Sequence, residues 1–276
     1  MKLGGMTPYT NMTDYMKTCI DIGYAAVVYP CEAAGDNATR DTFLAACKAH
    51  HLLIAEVGIW RNAVSPDEAE RRDAVAFSKE RLALADEIGA ACCVNISGAA
   101  GPLWDAPYRE NYAADHYALV VDTVREIIDA VKPKRTRYCM EPMQWMVPDS
   151  ADSYLSIMKD IDRRAFGVHM DACNFVNGAY KFLFARELID ECFGKLGEHI
   201  VSCHIKDLAM EEHGTVTLHE VQPGSGAFPI AHYLQKIHQL NPALPGIIEH
   251  LPSEQAYRDA YRYVSDVAKK AGVPIC

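Results

Sequence analysis

The sequence alternates between short apolar runs and longer segments with helical periodicity. Eight of the short runs are rich in β-branched residues and have the length of buried strands. Such alternation is typical of parallel βαβ units, in which each strand is followed by a helix that returns the chain. The predicted strands are Lys2–Met6, Ala25–Tyr29, Leu52–Val57, Ala91–Ile96, Arg137–Glu141, Phe166–Asp171, Ile200–Ile205 and Gly246–Glu249.

The clearest predicted helix is Asp67–Ile88. Ser65 is the expected N-cap, Pro66 suits the first turn, and Glu68 provides the glutamate of a capping box. Gly89 directly after the segment favours its end there. The next predicted strand begins almost at once, so this segment is expected to be one βαβ crossover.

The number and order of these elements favour a closed barrel. Strict alternation over 276 residues, without a Pro/Gly/Ser linker, fits a single (β/α)8 TIM barrel, a fold of about 250 residues. The alternative is a doubly wound open sheet, which favours a glycine-rich phosphate turn after its first strand. The turn Gly4-Gly5-Met6-Thr7-Pro8-Tyr9 lacks the spacing G-x-G-x-x-G. We therefore predict one α/β domain, a (β/α)8 barrel, over residues 1–276.

Composition and charge limit the partners of such a barrel. The 27 Lys and Arg residues against 37 Asp and Glu residues give a formal net charge of −10, which repels a nucleic-acid backbone. No apolar run approaches the roughly eighteen residues of a membrane span, and the N-terminus has no apolar signal segment. The ten cysteines include no C-x2-C pair. We expect a cytoplasmic protein with reduced thiols and with neither a nucleic-acid nor a membrane partner.

Four consecutive predicted strands end with side chains that bind metals. These are Glu141, Asp171, His204 and Glu249. The carboxyl ends of barrel strands meet at one mouth, so the four side chains are expected to lie together. Each alone is also consistent with a satisfied turn residue or a core histidine, but three buried carboxylates beside an imidazole need a cation. We predict one divalent ion, with Mn²⁺ first because oxygen ligands dominate, and with Mg²⁺, Co²⁺ or Zn²⁺ as alternatives.

The motifs around these residues resemble those of a known superfamily. M-E-P follows the fifth strand, H-x-D the sixth and H-x-K-D the seventh, P-G-x-G precedes a helix, and I-E-H ends the eighth strand. The pattern resembles the sugar isomerase and epimerase superfamily of xylose-isomerase-like barrels, which includes ketose 3-epimerases, hydroxypyruvate isomerase, inosose dehydratase and endonuclease IV. The resemblance covers nearly the whole chain. It implies that Glu141, Asp171, His204 and Glu249 are the metal ligands, and that Glu141 and Glu249 are also the catalytic acid and base.

The sequence departs from the ketose 3-epimerase pattern at three positions. Those enzymes have a substrate-binding glutamate where this chain has Val147, a histidine where it has Asn174, and an arginine where it has Met210. Asn174 is kept as a candidate substrate-binding residue. The departures indicate that the substrate is not a free ketohexose, or that it is held differently.

Three further residues lie beside the predicted ligands. Lys206 is two residues beyond the histidine ligand, so strand alternation directs its side chain to the same side. It is a surface lysine, a catalytic cation that stabilises an enolate, or a base with a shifted pKa. His169, two residues before the aspartate ligand, is a candidate substrate-binding residue, a partner of the metal site or a core histidine. His250 is expected to point away because it directly follows Glu249.

Aromatic residues and a long loop are expected at the mouth of the barrel. All three tryptophans, Trp60, Trp104 and Trp145, fall just after predicted strands. Aromatic rings stack on the apolar C–H faces of sugars, so we predict that they bind substrate, with chance placement as the alternative. The segment Asp207–Phe228 is the longest irregular stretch, and it is predicted to be a lid that includes Glu212.

These residues indicate proton transfer on a sugar. We expect a metal-dependent isomerase or epimerase that removes a proton next to the carbonyl of a keto-sugar or a related polyol. A lyase or dehydratase acting on keto-sugars, inososes or 3-keto-C-glycosides is the alternative, because the same abstraction leads to elimination when a leaving group lies β to the carbonyl. Relatives that cleave C-glycosides work with a small partner subunit, so a partner subunit or a homo-oligomer is left open.

Two other classes are less favoured. An endonuclease IV-like metallohydrolase conflicts with the acidic net charge and with the single set of four ligands. A non-catalytic binding module on the same fold conflicts with the presence of both candidate acid and base carboxylates.

Overall fold

Eight parallel strands form a closed barrel at the centre of the protein. The computed structural model describes residues 1–31, 37–211 and 213–275. The strands in these ranges are β1 Lys2–Gly5, β2 Ala26–Tyr29, β3 Leu53–Gly58, β4 Cys92–Asn95, β5 Arg137–Met140, β6 Phe166–Met170, β7 Ile200–Ile205, β8 Asp207–Met210, β9 Leu218–Val221 and β10 Pro245–Ile248. The barrel order is β1-β10-β7-β6-β5-β4-β3-β2, and β1 closes it by pairing with both β10 and β2.

Helices connect the strands and pack on the outside of the barrel. They are α1 Met12–Ile22, α2 Asn37–Ala49, α3 Glu68–Ile88, α4 Ala114–Val131, α5 Ala151–Ile161, α6 Ala179–Leu183, α7 Ala185–Leu196, α8 Ile230–Leu240 and α9 Glu254–Lys270, with short 3-10 helices at Arg109–Tyr112 and Gly197–His199. The buried faces of the long helices join the outward-facing strand residues in one large apolar core.

The predicted (β/α)8 barrel is confirmed. Every predicted barrel strand is present, and each of its ends agrees with the structure to within one residue. The agreement follows from burial on both faces, which makes parallel barrel strands continuous apolar runs, and β6 is buried at all of its positions. The carboxyl ends of the strands, where the candidate ligands lie, therefore meet at one mouth.

The start of α3 differs from the prediction. Asp67, not Ser65, is the N-cap, because its extended backbone (φ −76°, ψ 118°) lets its carboxylate accept the N–H of Glu70 at 2.9 Å. Ser65 instead donates its hydroxyl to the Glu70 carboxylate at 2.7 Å. The predicted end is correct, since Gly89 adopts the left-handed conformation (φ 73°) that ends many helices.

The predicted irregular stretch after β7 is in part a hairpin. β8 and β9 pair as antiparallel strands, with Asp207 opposite Val221 and Met210 opposite Leu218. The prediction of an irregular segment is therefore wrong over these residues. Glu212, which the sequence placed in the lid, lies outside the described residues.

A buried carboxylate fixes the base of this hairpin. The Asp207 side chain accepts the backbone N–H groups of Leu208 and Gly224 at 2.9 Å and those of Gly226 and Phe228 at 3.0 Å. A Cβ at Gly226 would lie 2.3 Å from the Leu208 carbonyl oxygen, so only glycine permits this approach. The two ends of the hairpin segment are thus joined to each other and to the end of β7.

Two features agree with the expectations from composition. The nine cysteines in the described ranges are free thiols, and all except Cys31 are buried, while Cys276 lies outside those ranges. Within residues 1–31, 37–211 and 213–275, none of the helices combines the length and the apolar character needed to cross a bilayer.

Asp86, near the end of α3, binds the segment directly before β5, the strand that leads to Glu141. Its carboxylate accepts the N–H groups of Lys134, Arg135 and Thr136 at 2.7, 2.5 and 3.2 Å. Burial raises the pKa of Asp86, but these three N–H groups outweigh it and lower the pKa below its ordinary value. We expect Asp86→Asn to reduce the free energy of unfolding at pH 7 by about 1 kcal/mol, since solvent screens this site.

The pH dependence gives the sign of this effect. A carboxylate whose pKa is lowered in the folded state stabilises the fold above its unfolded-state pKa of about 4 and stops doing so as pH falls through the folded-state value. Chemical denaturation of the two proteins should therefore give a difference at pH 7 that disappears at strongly acid pH. A difference that stays constant over this range would assign the effect to shape and not to charge.

Candidate metal centre

The four predicted ligands converge at the mouth of the barrel. Glu141, Asp171 and Glu249 directly follow β5, β6 and β10, His204 lies in β7, and all four are between 0% and 4% exposed. One ligand atom from each lies within 4.8 Å of the others. His204 Nδ1 is 2.7 Å from Glu249 Oε1, 3.3 Å from Glu141 Oε1 and 3.8 Å from Asp171 Oδ2. The sequence therefore identified a real cluster.

The chemistry of this cluster fits a divalent cation. Asp171 Oδ2 and Glu249 Oε1 are buried and have no hydrogen-bond partner among the described residues. Lys206 Nζ lies 2.9 and 2.7 Å from these two oxygens, at ion-pair distance but without the angles of a hydrogen bond. Buried carboxylates with unused acceptor capacity are the donor set that hard divalent ions prefer.

Positive neighbours control the charges of these carboxylates. Burial raises the pKa of Glu249, but the charges of His204 and Lys206 outweigh it and lower that pKa to about 2. Asp171 has its pKa lowered for the same reasons, with Lys206 as its main positive neighbour. The pKa of Glu141 is raised by burial, despite the opposing charge of His204. The acidic neighbours overcome burial at His204 and Lys206, whose pKa values rise.

A fourth carboxylate, which sequence reasoning missed, lies behind the histidine. Glu56 in β3 is fully buried, and its Oε2 is 3.2 Å from His204 Nε2. Its Oε1 accepts the Ser202 hydroxyl at 2.7 Å and lies 3.0 Å from His169 Nε2. A carboxylate on Nε2 favours the proton there, so Nδ1 is the nitrogen able to coordinate a metal ion. The available signal was a single glutamate inside the apolar strand β3.

His169 is placed differently from its predicted role in substrate binding. Its ring is fully buried in β6, is paired with Glu56, and lies 4.1 Å from the His204 ring, centroid to centroid. It is not part of the lining of the cavity at the mouth. The prediction of a substrate contact is therefore corrected to contact with the residues behind the ligands, one of the alternatives left open by the sequence.

A cavity of about 520 Å³ opens above the ligands and contains most of the other predicted residues. Its polar side includes Glu141, Glu249, Lys206 and Asn174, and Asn174 Nδ2 donates to Glu141 Oε1 at 2.8 Å. The outer wall is largely apolar and contains all three tryptophans. The residues of this wall are Met6, Trp60, Ile96, Trp104, Met143, Trp145, Leu208 and Leu218.

Two of the tryptophans are held by specific local structure. Trp145 Nε1 donates to the Asp105 carbonyl at 2.7 Å, which joins the loops after β4 and β5. Trp60 has a positive φ of 52°, uncommon for a residue with a side chain, and its ring packs directly on Gly58. A Cβ at Gly58 would lie 2.1 Å from Trp60 Nε1, so this ring position depends on the glycine.

The prediction that His250 points away from the site is wrong. His250 has a left-handed backbone (φ 57°), which breaks the strand alternation after Glu249 and turns the imidazole to the cavity. There its Nδ1 lies 3.0 Å from Glu220 Oε1, a residue of β9 that also lines the cavity. The hairpin is thus part of the cavity wall.

A comparison of sequences gives the family. The sequence model of the family described as xylose isomerase-like TIM barrel matches residues 16–276. The chain belongs to this family. The resemblance predicted from the strand-end motifs is confirmed, and the family includes metal-dependent enzymes that act on sugars. Among curated proteins, none matches this sequence.

Solved structures share the fold at low sequence identity. The D-psicose 3-epimerase of Clostridium cellulolyticum H10, with D-tagatose, has 14% identity, full coverage of both chains and a TM-score of 0.70. The probable 3-DHS dehydratase of petrobactin synthesis from Bacillus anthracis has 13% identity, 97% and 99% coverage and a TM-score of 0.75. A xylose isomerase-like TIM barrel protein from Mycobacterium smegmatis, in complex with magnesium, has 17% identity, 97% and 94% coverage and a TM-score of 0.67. These identities establish a common fold only.

Glu56 provides a test of the metal centre that leaves the four ligands intact. In Glu56→Gln, an amide facing His204 Nε2 can donate its own proton, which moves the imidazole proton to Nδ1 and blocks coordination. We expect Mn²⁺ affinity, measured by isothermal titration calorimetry, to fall by about 10- to 100-fold. Ser202→Ala is the matched control, because it removes one hydrogen bond to Glu56 and keeps the carboxylate. Wild-type affinity in Glu56→Gln would show that the carboxylate does not orient His204.

Proposed function

We propose that this protein is a divalent-metal-dependent isomerase or epimerase that removes a proton next to the carbonyl of a keto-sugar or a related polyol. The observation that carries this proposal is that only two of the four candidate ligands face the cavity. Glu141 and Glu249 line the cavity, whereas Asp171 and His204 are not part of its lining. Two carboxylates at a substrate-facing surface, beside a site for a cation, are the groups that proton transfer at carbon requires.

Each residue then has a definite task. Glu141, Asp171, His204 and Glu249 hold the ion, which when bound polarises the oxygens of the sugar and makes the adjacent C–H more acidic. Glu249 and Glu141 face the cavity from β10 and β5, and one carboxylate takes the proton from carbon while the other returns a proton. Asn174 orients Glu141 through its hydrogen bond to Oε1. The Lys206 ammonium stabilises the negative charge that develops on the substrate oxygen.

Mn²⁺ is the ion that we propose for this site. Three carboxylates and one imidazole form a mixed set in which oxygen dominates, and such sets suit Mn²⁺ and Mg²⁺ better than softer ions. The Mycobacterium smegmatis protein of the same fold is in complex with magnesium, and this supports a hard divalent ion here. Co²⁺ and Zn²⁺ are the alternatives that a metal titration would distinguish.

A lyase or dehydratase is the second candidate, and the apolar outer wall favours it. Trp60, Trp104 and Trp145 line a cavity of about 520 Å³, so several aromatic faces are available for stacking. A 3-keto-glycoside with an aromatic group would stack on these rings, and loss of that group after proton abstraction would be elimination. The same catalytic carboxylates would serve both reactions.

The other classes have less support. The formal net charge of −10 and a cavity lined by several carboxylates oppose binding of a nucleic acid. A second group of possible metal ligands consists of Glu56, His169 and His204. It shares His204 with the first group, and both of its histidines are already paired with Glu56. A screen of the Mn²⁺-loaded protein against keto-sugars, inososes and 3-keto-glycosides would identify the substrate class.

Replacement of the two glutamates separates metal binding from proton transfer. Glu141→Gln and Glu249→Gln keep one oxygen able to coordinate but cannot exchange a proton. With Mn²⁺ at saturation, we expect turnover to fall by about 10²- to 10⁴-fold. The measurement is deuterium uptake from D2O at the carbon next to the substrate carbonyl, followed by NMR.

Asp171→Asn is the matched control for these variants. It removes the charge of a candidate ligand that does not line the cavity, so its exchange should recover when Mn²⁺ is raised, whereas exchange in the glutamate variants should not. Wild-type exchange rates in both metal-saturated glutamine variants would exclude Glu141 and Glu249 as acid and base, and Lys206 would then be the first residue to examine.

Trp104→Ala tests the apolar wall. If the ring only stacks on the substrate, its removal should raise KM and leave kcat nearly unchanged, because stacking stabilises the ground state and the transition state alike. The loss of binding should be about five- to tenfold for a single aromatic contact. Equal losses in kcat and in kcat/KM would instead show that the ring acts in the transition state.

A further inference from the structure

The Lys206 ammonium lies among four carboxylates. Its Nζ is 2.7 Å from Glu249 Oε1, 2.9 Å from Asp171 Oδ2, 3.5 Å from Glu220 Oε2 and 3.7 Å from Glu141 Oε1. Three of these partners are candidate metal ligands. Glu220 is the exception, because it comes from β9 of the hairpin and lies outside the ligand cluster.

The ammonium and a divalent ion would compete for the same atoms. Glu249 Oε1 and Asp171 Oδ2 are the two buried carboxylate oxygens without a hydrogen-bond partner among the described residues, and they are also the carboxylate oxygens nearest to Lys206 Nζ. Two cations on one pair of oxygens repel each other strongly in a buried site. A lysine in this position therefore opposes metal binding unless another carboxylate forms an ion pair with its ammonium.

Glu220 is positioned by its neighbours where it can form this ion pair with Lys206. Its Oε1 and Oε2 lie 3.0 and 3.2 Å from His250 Nδ1, and the left-handed backbone of His250 aims this ring at it. The hairpin that contains Glu220 is fixed at its base by the hydrogen bonds to Asp207. The Glu220 carboxylate thus reaches the cavity from the hairpin, and its Oε2 lies 3.5 Å from Lys206 Nζ.

We propose that Glu220 is a positioning residue that acts through Lys206: it draws the ammonium from Asp171 and Glu249 when a divalent ion takes their oxygens. The hairpin thereby controls how strongly the centre retains its metal, although it contributes no ligand. This inference rests on the proposed function, because it requires that the four candidate ligands bind an ion.

A double-mutant cycle with Mn²⁺ as the probe tests this inference. Glu220→Gln is expected to weaken Mn²⁺ binding by roughly tenfold, as is common when a residue that supports a metal site is changed. Lys206→Met removes the competing cation with little change in length, so this variant should bind Mn²⁺ at least as tightly as the wild type. In the double variant, the change at Glu220 should matter by less than about twofold, because the residue through which it acts is absent.

The controls separate this role from a general effect of charge or of folding. Glu211, in the same hairpin, has an exposed carboxylate that lies 2.8 Å from His219 Nε2. Glu211→Gln removes this charge and should leave Mn²⁺ affinity unchanged. Glu220→Asp keeps the charge and should restore part of the affinity lost in Glu220→Gln. Hydrogen exchange of residues 218–221 shows in each variant whether the hairpin stays docked.

The outcomes distinguish this inference from the proposed function. The inference would be overturned if Glu220→Gln lowered Mn²⁺ affinity by the same factor in the wild type and in Lys206→Met. The effect of Glu220 would then not pass through the lysine. Weaker Mn²⁺ binding in Lys206→Met would overturn it as well. A wild-type protein that binds no Mn²⁺ would instead remove the proposed metal centre itself, and this result is visible before any variant is made.

Discussion

Buried negative charge around one imidazole is the constraint on which the site depends. His204 lies within 4 Å of four carboxylates, namely those of Glu56, Glu141, Asp171 and Glu249. Such a cluster is stable only if cations and hydrogen-bond donors compensate its charge. The barrel provides the geometry for this, since each carboxylate comes from a different strand or strand end, and closure of the sheet keeps the strands in fixed register. Lys206, Asn174 and Ser202 face these carboxylates and offset part of their charge.

The fold and the cluster of four candidate ligands could be predicted because both depend on local patterns. A strand buried on both faces is a short apolar run, and a polar residue that directly follows such a run lies at the mouth of a barrel wherever the helices go. Glu141, Asp171 and Glu249 follow this rule. Glu56 does not, because it lies inside a strand, and its partners Ser202 and His204 are about 150 residues away in the sequence.

The features that were predicted wrongly depend on backbone conformations that residue type does not determine. A histidine next to a strand end is expected to alternate outward, and only the positive φ of His250 reverses this. The hairpin was missed because β8 and β9 have four residues each and lack a clear two-residue period. At α3, Ser65 and Asp67 are both good capping residues, and the backbone of Asp67 decides between them.

The bonds that converge on Asp207 also determine which part of the chain is free to vary in length. Since one carboxylate joins the end of β7 to residues 224–228, the chain between these two points begins and ends at fixed positions. Lengthening the connection between β8 and β9 leaves these two points in place, and the entropy cost of closing a longer loop grows slowly with its length. The tip of the hairpin can therefore differ in length while β7, its metal-type histidine and the Glu220 carboxylate stay in place.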